Sequence, residues 1–162
     1  MPKRPSRDGA DLVELEGEVC DIGGLAESLG FLTRVTQLQR REFIRGSARP
    51  QPSLGAYSAL AVISRNPGIR QRLLATILQV QDSNMTNLIR QLLDQGLVDR
   101  RPIAPGRRAA GLWLTAAGQS TVAAQAPGVE EIDRAFAGAL SDTEYAAVVR
   151  ILRRLFVSRL RG

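Results

Sequence analysis

A short run of polar side chains with helical spacing opens one predicted helix, and their chemistry suits hydrogen bonding to nucleic-acid bases. The helix is predicted over residues 83–95. Its early exposed positions are Ser83, Asn84, Thr86 and Asn87. The first residues of a helix that enters the major groove of DNA reach the base edges, where hydroxyl and amide groups donate and accept hydrogen bonds. Arg90 follows one turn later, at a position suited to a phosphate contact.

Two predicted strands follow this helix directly, over residues 97–101 and 111–115, and a Pro-Gly turn joins them. Arg107 and Arg108 lie at the tip of the turn. Arginine at such a tip suits a narrow minor groove, where the negative potential of DNA is enhanced. The helix, the hairpin and the basic tip together predict a winged helix-turn-helix that binds double-stranded DNA. Winged helices also serve as protein-interaction modules, and that alternative stays open.

Three further helices are predicted before the polar one. Apolar residues recur every three or four positions in the first, at about residues 25–46. The second is predicted over 54–65 and the third over 70–78. The caps predicted around these elements are Ser53 for the second helix, Asp82 for the fourth, and Gly96 as the residue that ends the fourth.

Two helices are predicted after the hairpin. Thr115 caps the first of them, which Pro127-Gly128 is expected to kink or break. Ser141 and Glu144 have the spacing of a capping box for the last helix. That helix has one apolar side: Val148, Val149, Leu152, Leu155 and Phe156. This surface exceeds what one small lobe can cover, so we expect a symmetric homodimer, with packing inside a monomer as the alternative.

Composition narrows the function further. Residues 31–110 carry 13 basic and 4 acidic side chains within a chain of net charge +6, which favours a polyanionic partner. The chain has no histidine, no glycine-rich phosphate loop and a single cysteine, so we predict no enzyme activity, metal or cofactor. It has no apolar run long enough to span a membrane and no apolar leader, which predicts a cytoplasmic location.

Four stretches resemble the MarR family of bacterial transcriptional regulators. They are SLGAYSALAVISRNPG at 53–68, LLATILQV at 73–80, DSNMTNLIRQLLDQGLVDRR at 82–101 and LWLTAAG at 112–118. The resemblance implies a mainly α fold with a small β-hairpin wing. It places a winged helix-turn-helix lobe at 51–116 and a helical dimerisation lobe at 24–50 and 117–162. Residues 1–23, which are polar, mixed in charge and interrupted by glycines, are interpreted as an N-terminal arm. By the same resemblance, Thr86 and Asn87 contact bases and Ser83 contacts the DNA backbone.

The sequence departs from the family pattern at three positions. Gly106 stands where the family usually has an aspartate that holds the groove-inserting arginine. Gln79 replaces a glycine in the turn before the recognition helix. The sequence therefore does not predict whether this turn has the backbone conformation usual in the family. Trp113 replaces a polar residue on the second strand, where alternation points it away from Leu112 and Leu114. We expect it to pack on neighbouring side chains.

Many family members release DNA when a small aromatic acid binds between their two lobes, and others respond to aromatic acyl-CoA thioesters. The resemblance therefore implies a small anionic aromatic effector and, in the usual outcome, repression. Arg34 and Arg41 on the first helix, together with Tyr57, are the candidate effector residues. Surface arginines and a core tyrosine are the alternative interpretation. A redox response through Cys20 is a second alternative for the signal.

Overall fold

The computed structural model describes residues 12–15, 17–46, 54–103 and 109–160. The chain divides between residues 48 and 49 into two compact units. The elements are β1 (Leu12–Leu15), β2 (Glu18–Asp21), a 3-10 helix (Gly23–Glu27), α1 (Leu29–Gly46), α2 (Leu54–Arg65), α3 (Gln71–Leu78), α4 (Asp82–Asp94), β3 (Val98–Pro102), β4 (Ala110–Leu114), α5 (Ala116–Phe136) and α6 (Asp142–Leu160). Predicted bounds for the second, third and fourth helices agree to within one residue.

The first unit contains a hairpin that the sequence did not predict. β1 and β2 pair antiparallel within the segment interpreted as an arm. The first predicted helix is in fact two helices, because Ser28 has an extended backbone between the 3-10 helix and α1. The Ser28 hydroxyl then accepts a hydrogen bond from the Phe31 amide (3.3 Å), which satisfies one unpaired donor at the start of α1.

The second unit is built on one hydrophobic core beneath α2, α3, α4 and the β3–β4 hairpin. Its fully buried large side chains are Leu60, Ile63, Leu74, Met85, Ile89, Leu92, Val98 and Leu112. The buried residues of α2 and α4 are spaced three or four apart, and in α3 the buried Leu74 is joined by the partly buried Ile77 and Leu78. One side of each helix therefore faces the core and the other faces solvent. The fold is therefore the predicted winged helix-turn-helix with helices on both sides of it in the sequence.

The turn after α2 docks on β4 through one isolated antiparallel bridge between Ile69 and Leu112. The Leu112 carbonyl accepts from the Gly68 amide (2.8 Å), and the Leu112 amide donates to the Ile69 carbonyl (3.0 Å). A Cβ on Gly111 would lie 2.3 Å from the Gly68 carbonyl oxygen, so only glycine fits there. The ring of Trp113 lies against Gly68, where an added Cβ would come within 2.9 Å of it.

The residues at the end of α3 and at the start of α4 determine the backbone of the turn that joins the two helices. Gln79 has the left-handed backbone that glycine usually provides, with φ 52° and ψ 41°, so the turn keeps its form without glycine. Asp82 was predicted as the cap of α4, but Gln81 is the extended residue before the helix and Asp82 is its first residue. An aspartate at the first position of the helix is still stabilising, because its negative charge lies at the positive end of the helix dipole.

The predicted ends of the later helices are confirmed. Gly96 ends α4 with φ +67°, and the Leu97 amide donates to the Leu92 carbonyl (3.0 Å). The Thr115 hydroxyl accepts from the Gly118 amide at the start of α5 (3.0 Å). The break that was the stronger expectation at Pro127 does not occur. α5 continues through Pro127 to Phe136.

The capping box of α6 is also present. The Ser141 hydroxyl accepts a hydrogen bond from the Glu144 amide (3.3 Å) and donates one to the Glu144 carboxylate (2.7 Å). The Ser141 amide donates to the same carboxylate oxygen (2.9 Å). These hydrogen bonds to the charged form, with the hydroxyl contributing most, hold the pKa of Glu144 below its usual value.

Candidate nucleic-acid interface

The outer side of α4 carries the five contact residues predicted for this helix. Ser83, Asn84, Thr86, Asn87 and Arg90 are exposed. The opposite side of the helix is anchored in the core by Met85, Ile89 and Leu92. Their spacing leaves the first two turns of the exposed side as a strip of hydroxyl, amide and guanidinium groups. A strip of this composition at a helix N-terminus matches the donors and acceptors of a major groove.

Hydrogen bonds already orient three of these side chains. The Asn87 amide oxygen accepts from the Arg90 guanidinium (2.6 Å), so the two residues form one unit on the exposed side. The Thr86 hydroxyl donates to the Asp82 carbonyl one turn earlier (2.8 Å). The contact groups of α4 are therefore partly preorganised, which lowers the entropy lost when they bind a partner.

A hydrogen-bonded chain links α4 to α3 and to β3. Gln71, the first residue of α3, donates from its amide nitrogen to the Thr86 hydroxyl (2.9 Å). Its amide oxygen accepts from the Arg100 guanidinium on β3 (2.7 Å). Sequence reasoning missed Gln71 and Arg100, because they lie 15 and 29 positions away from their partners and no local pattern connects them.

Two more arginines mark the start of α3. Arg70 precedes the helix with an extended backbone, and Arg72 lies in its first turn; both are exposed. They line an open groove of about 550 Å³ that also includes Leu73 and Ile103. Arginine side chains are electrostatically unfavourable at a helix N-terminus, because that end of the helix dipole is already positive. Two arginines at such a position therefore indicate, from the sequence alone, that they bind phosphate.

The base of the wing is described, and its tip is not. Asp99 and Arg101 form an ion pair on β3. Arg107, Arg108 and Gly106 lie outside the described residues. The wing is held to α5 by Thr115, whose hydroxyl donates to the Gly96 carbonyl (2.7 Å) and whose amide donates to the Leu97 carbonyl (3.1 Å).

The candidate effector residues lie on two helices. Arg34 and Arg41 are exposed and share one side of α1, since they are two turns apart, and Tyr57 is half-buried on α2. Cys20 is exposed on β2. In the part of the chain that the structure describes, no cluster of acidic or cysteine side chains could hold a metal ion. Nor is any described helix both long and apolar enough to cross a membrane.

The last helix presents a broad apolar side to solvent in the single chain. None of the residues of α6, all of them within the described part, is buried. Seven large apolar side chains are more than a third exposed: Val148, Val149, Ile151, Leu152, Leu155, Phe156 and Leu160. Exposed apolar surface of this extent on a regular helix is typical of an interface between subunits.

Comparison with known proteins gives a consistent group of relatives. A sequence model of the MarR family matches residues 51–109. A putative transcriptional regulatory protein for the hcr operon of Thauera aromatica is 32% identical over 136 residues, which cover 83% of this chain and 82% of that protein.

Solved structures agree with these sequence relatives. The transcriptional repressor CouR bound to a 23-mer DNA duplex is 26% identical with a TM-score of 0.72, and the match covers 84% of this chain and 97% of CouR. BpsR of Bordetella bronchiseptica, whose DNA binding is regulated by 6-hydroxynicotinic acid, shares the fold. Its TM-score is 0.70 at 19% identity, over 80% of this chain and 94% of BpsR.

Proposed function

Because the chain belongs to the MarR family of DNA-binding transcriptional regulators, we propose that it binds a pseudo-palindromic operator as a homodimer and releases it when a small anionic effector binds. The observation that carries the proposal is α4, which buries one side in the core and exposes a polar strip at its N-terminal end. A rigidly anchored helix with such a strip can enter a major groove without rearranging its own lobe.

The contacts to DNA divide into two kinds. Thr86 and Asn87 read bases, with Ser83 and Asn84 beside them at the helix start, while Arg90 contacts phosphate. Arg107 and Arg108 at the tip of the wing enter the minor groove. Arg70 and Arg72 add phosphate contacts at the start of α3, because both are exposed and neither guanidinium group makes a hydrogen bond or ion pair with another described residue.

The homodimer is supported by the apolar side of α6. Burying a leucine-sized side chain contributes about 1.5–3 kcal/mol, and seven such side chains remain exposed on this helix in the single chain. In a two-fold symmetric dimer the apolar side of α6 is buried in both subunits. It also places two recognition helices about one DNA turn, ~34 Å, apart, so the operator has two inverted half-sites.

The effector is a small aromatic acid or an aromatic acyl-CoA thioester. Arg34 and Arg41 supply the positive charge for its anionic group, and Tyr57 supplies an aromatic surface. The DNA binding of BpsR, which shares the fold, is regulated by 6-hydroxynicotinic acid, an aromatic acid. Calorimetry with benzoate- and cinnamate-type acids and with their CoA thioesters tests the proposal: binding that Arg34→Ala abolishes supports it, and heat effects absent for every compound contradict it.

The regulator acts as a repressor, and the similar protein CouR is a transcriptional repressor. An operator that overlaps a promoter is then blocked until the effector binds. A reporter gene placed behind the operator tests this directly. Expression should fall when the regulator is present and recover when the effector is added, and a rise in expression on binding would identify an activator instead.

The central experiment is the selection of random DNA duplexes by the purified protein at two salt concentrations. We expect a pseudo-palindrome of about 15–20 base pairs and an affinity that falls steeply with salt, because phosphate contacts release counterions. A protein-interaction module would enrich no sequence and would bind duplexes weakly at every salt concentration.

Two substitutions then separate base reading from phosphate binding. Asn87→Ala should cost about 1–3 kcal/mol on the selected operator and relax the preference at one step of each half-site. Arg90→Ala should weaken all duplexes more evenly and reduce the salt dependence by about one counterion. Equal effects of both variants on every duplex would contradict the assignment of base reading to Asn87.

A further inference from the structure

We infer that Gln71 and Arg100 are positioning residues for base recognition, and that they make Thr86 read DNA through its methyl group. Thymine is then favoured at the base pair that Thr86 faces. The inference rests on the proposed entry of α4 into the major groove. It concerns two residues outside α4, Gln71 on α3 and Arg100 on β3, which do not themselves need to touch a base.

The direction of every hydrogen bond in this chain of contacts follows from Arg100. A guanidinium only donates, so the group of Gln71 that faces Arg100 must be its amide oxygen (2.7 Å). The amide nitrogen of Gln71 is then turned to Thr86 (2.9 Å). An amide nitrogen only donates, so the Thr86 hydroxyl must accept from it.

The hydroxyl proton of Thr86 is consequently committed elsewhere. It is donated to the Asp82 carbonyl, one turn earlier in α4 (2.8 Å). A hydroxyl has one proton, so Thr86 has none left to donate to a phosphate, to O6 or N7 of guanine, or to O4 of thymine. Two parts of this exposed side chain are left uncommitted: its methyl group, and one lone pair of the hydroxyl oxygen, which in the major groove only N4 of cytosine or N6 of adenine could donate to. In the major groove the C5-methyl of thymine is the apolar group that a methyl can pack against.

The chain of contacts also selects one side-chain rotamer. Threonine in a helix divides between two χ1 rotamers, whereas valine has one strongly preferred rotamer. The hydrogen bond from Gln71 holds the hydroxyl on one side of Thr86 and therefore fixes where the methyl lies. Since Gln71 is itself held by Arg100, the base of the wing and the recognition helix share one positional constraint. An alteration at β3 should thus change base preference on α4.

Substitutions at Thr86 test which group reads the base. The protein should prefer thymine over the other bases at one step of each half-site by roughly fourfold, the size expected for one buried methyl group. Thr86→Val keeps the methyl and should keep that preference. Thr86→Ser keeps the hydroxyl and should lose it. The reverse result, in which serine preserves the preference and valine loses it, would overturn the inference because the hydroxyl would then be the reading group.

Substitutions at Gln71 test the positioning role by a double-mutant cycle. Gln71→Ala should remove most of the thymine preference at that step and leave the other steps of the operator unchanged. Arg100→Met should have the same effect in weaker form. In the Thr86→Val background, Gln71→Ala should change nothing, because valine is held by its own rotamer preference. Gln119→Ala, an exposed glutamine on α5, is the matched control and should leave every step unaltered.

Two results contradict the inference in different ways. If Gln71→Ala lowers affinity equally for all duplexes, or acts equally in the threonine and valine backgrounds, Gln71 has only a structural role. If the unaltered protein enriches no duplex at all, the proposed function fails first and the inference falls with it. The melting temperature of each variant is measured together with its base preferences. A variant that loses DNA affinity because it unfolds is then recognised by its lowered melting temperature.

Discussion

The winged helix and the last helix use the same kind of apolar periodicity with opposite results. In the winged helix, α2, α3 and α4 turn their apolar sides towards each other and the hairpin, so that Leu60, Leu74 and Ile89 are fully buried. In α6 the side chains at equivalent spacing are all exposed. A periodic pattern therefore shows which side of a helix must be covered, and it does not show whether the same chain supplies the cover.

This difference separates the two tasks of the molecule. The winged helix is complete within one chain, so its polar strip is positioned whether or not a second subunit is bound. The last helix has a satisfied N-terminus and an uncovered side, which makes it a ready surface for a second copy. Changes in the first region should act on folding, and changes in the second should act on assembly.

The largest expected effect comes from opening the closed core. Leu74→Ala removes a side chain with no exposed surface and leaves a cavity, which should cost about 2–5 kcal/mol of unfolding free energy. Its neighbour Leu73 is 53% exposed, so Leu73→Ala should cost less than about 0.5 kcal/mol. Chemical denaturation of the pair measures this contrast. Similar losses for both variants would mean that the side of α3 assigned to the core is wrong.

The uncovered side of α6 should respond in assembly rather than in folding. Leu155 is 40% exposed in the single chain, and Leu155→Ala truncates two copies of it in a symmetric dimer. The dimer should weaken by about 3 kcal/mol, on the order of a hundredfold in its dissociation constant. Sedimentation equilibrium measures this, with Arg150→Ala on the other side of α6 as the control. A protein that stays monomeric at all concentrations would refute the proposed interface.

The sequence predicted the fold well where side-chain chemistry alone decides local structure. Ser141 and Glu144 form their capping box because the two groups are mutually complementary and three residues apart. Residues 1–23 were interpreted as an arm because they are polar, mixed in charge and interrupted by glycines, yet Leu12–Leu15 and Glu18–Asp21 pair as a hairpin. Backbone pairing needs little side-chain information, so composition gave too weak a signal there.

The candidate site was predicted only in part for a related reason. Thr86 and Asn87 lie on one helix, and helical spacing was enough to find them. Gln71 and Arg100 act through tertiary contacts with Thr86, and the distance along the chain hides them. The docking of the Gly68 turn on β4 is hidden in the same way, since it depends on how closely two backbones approach. Such contacts exist only once the elements have packed.

A smaller effect is expected at the turn that leads into the recognition helix. Gln79 has a left-handed backbone, which costs a non-glycine residue roughly 1–2 kcal/mol. Gln79→Gly relieves that cost, loses the hydrogen bond from the side-chain amide nitrogen of Gln79 to the Thr76 carbonyl (2.8 Å), and makes the unfolded chain more flexible. The net stabilisation should be about 0.5 kcal/mol, read from the denaturation midpoint. A clear loss of stability would show that the side-chain bond outweighs the backbone strain.

The smallest effect concerns pH and the start of α6. The Ser141 hydroxyl and amide both donate to the ionised Glu144, and they lower the pKa of its carboxyl group in the folded protein. A carboxyl whose pKa falls on folding stabilises the folded state above its unfolded pKa, and that stabilisation is lost as the pH drops through the lowered value. Glu144→Gln keeps a capping-box residue without the charge. The melting temperatures of the two proteins should therefore differ slightly at neutral pH, with the unaltered protein higher, and should converge in acid. A difference that is constant from neutral to acidic pH would mean that the charge of Glu144 contributes nothing to holding α6, and that its hydrogen-bonding shape alone does.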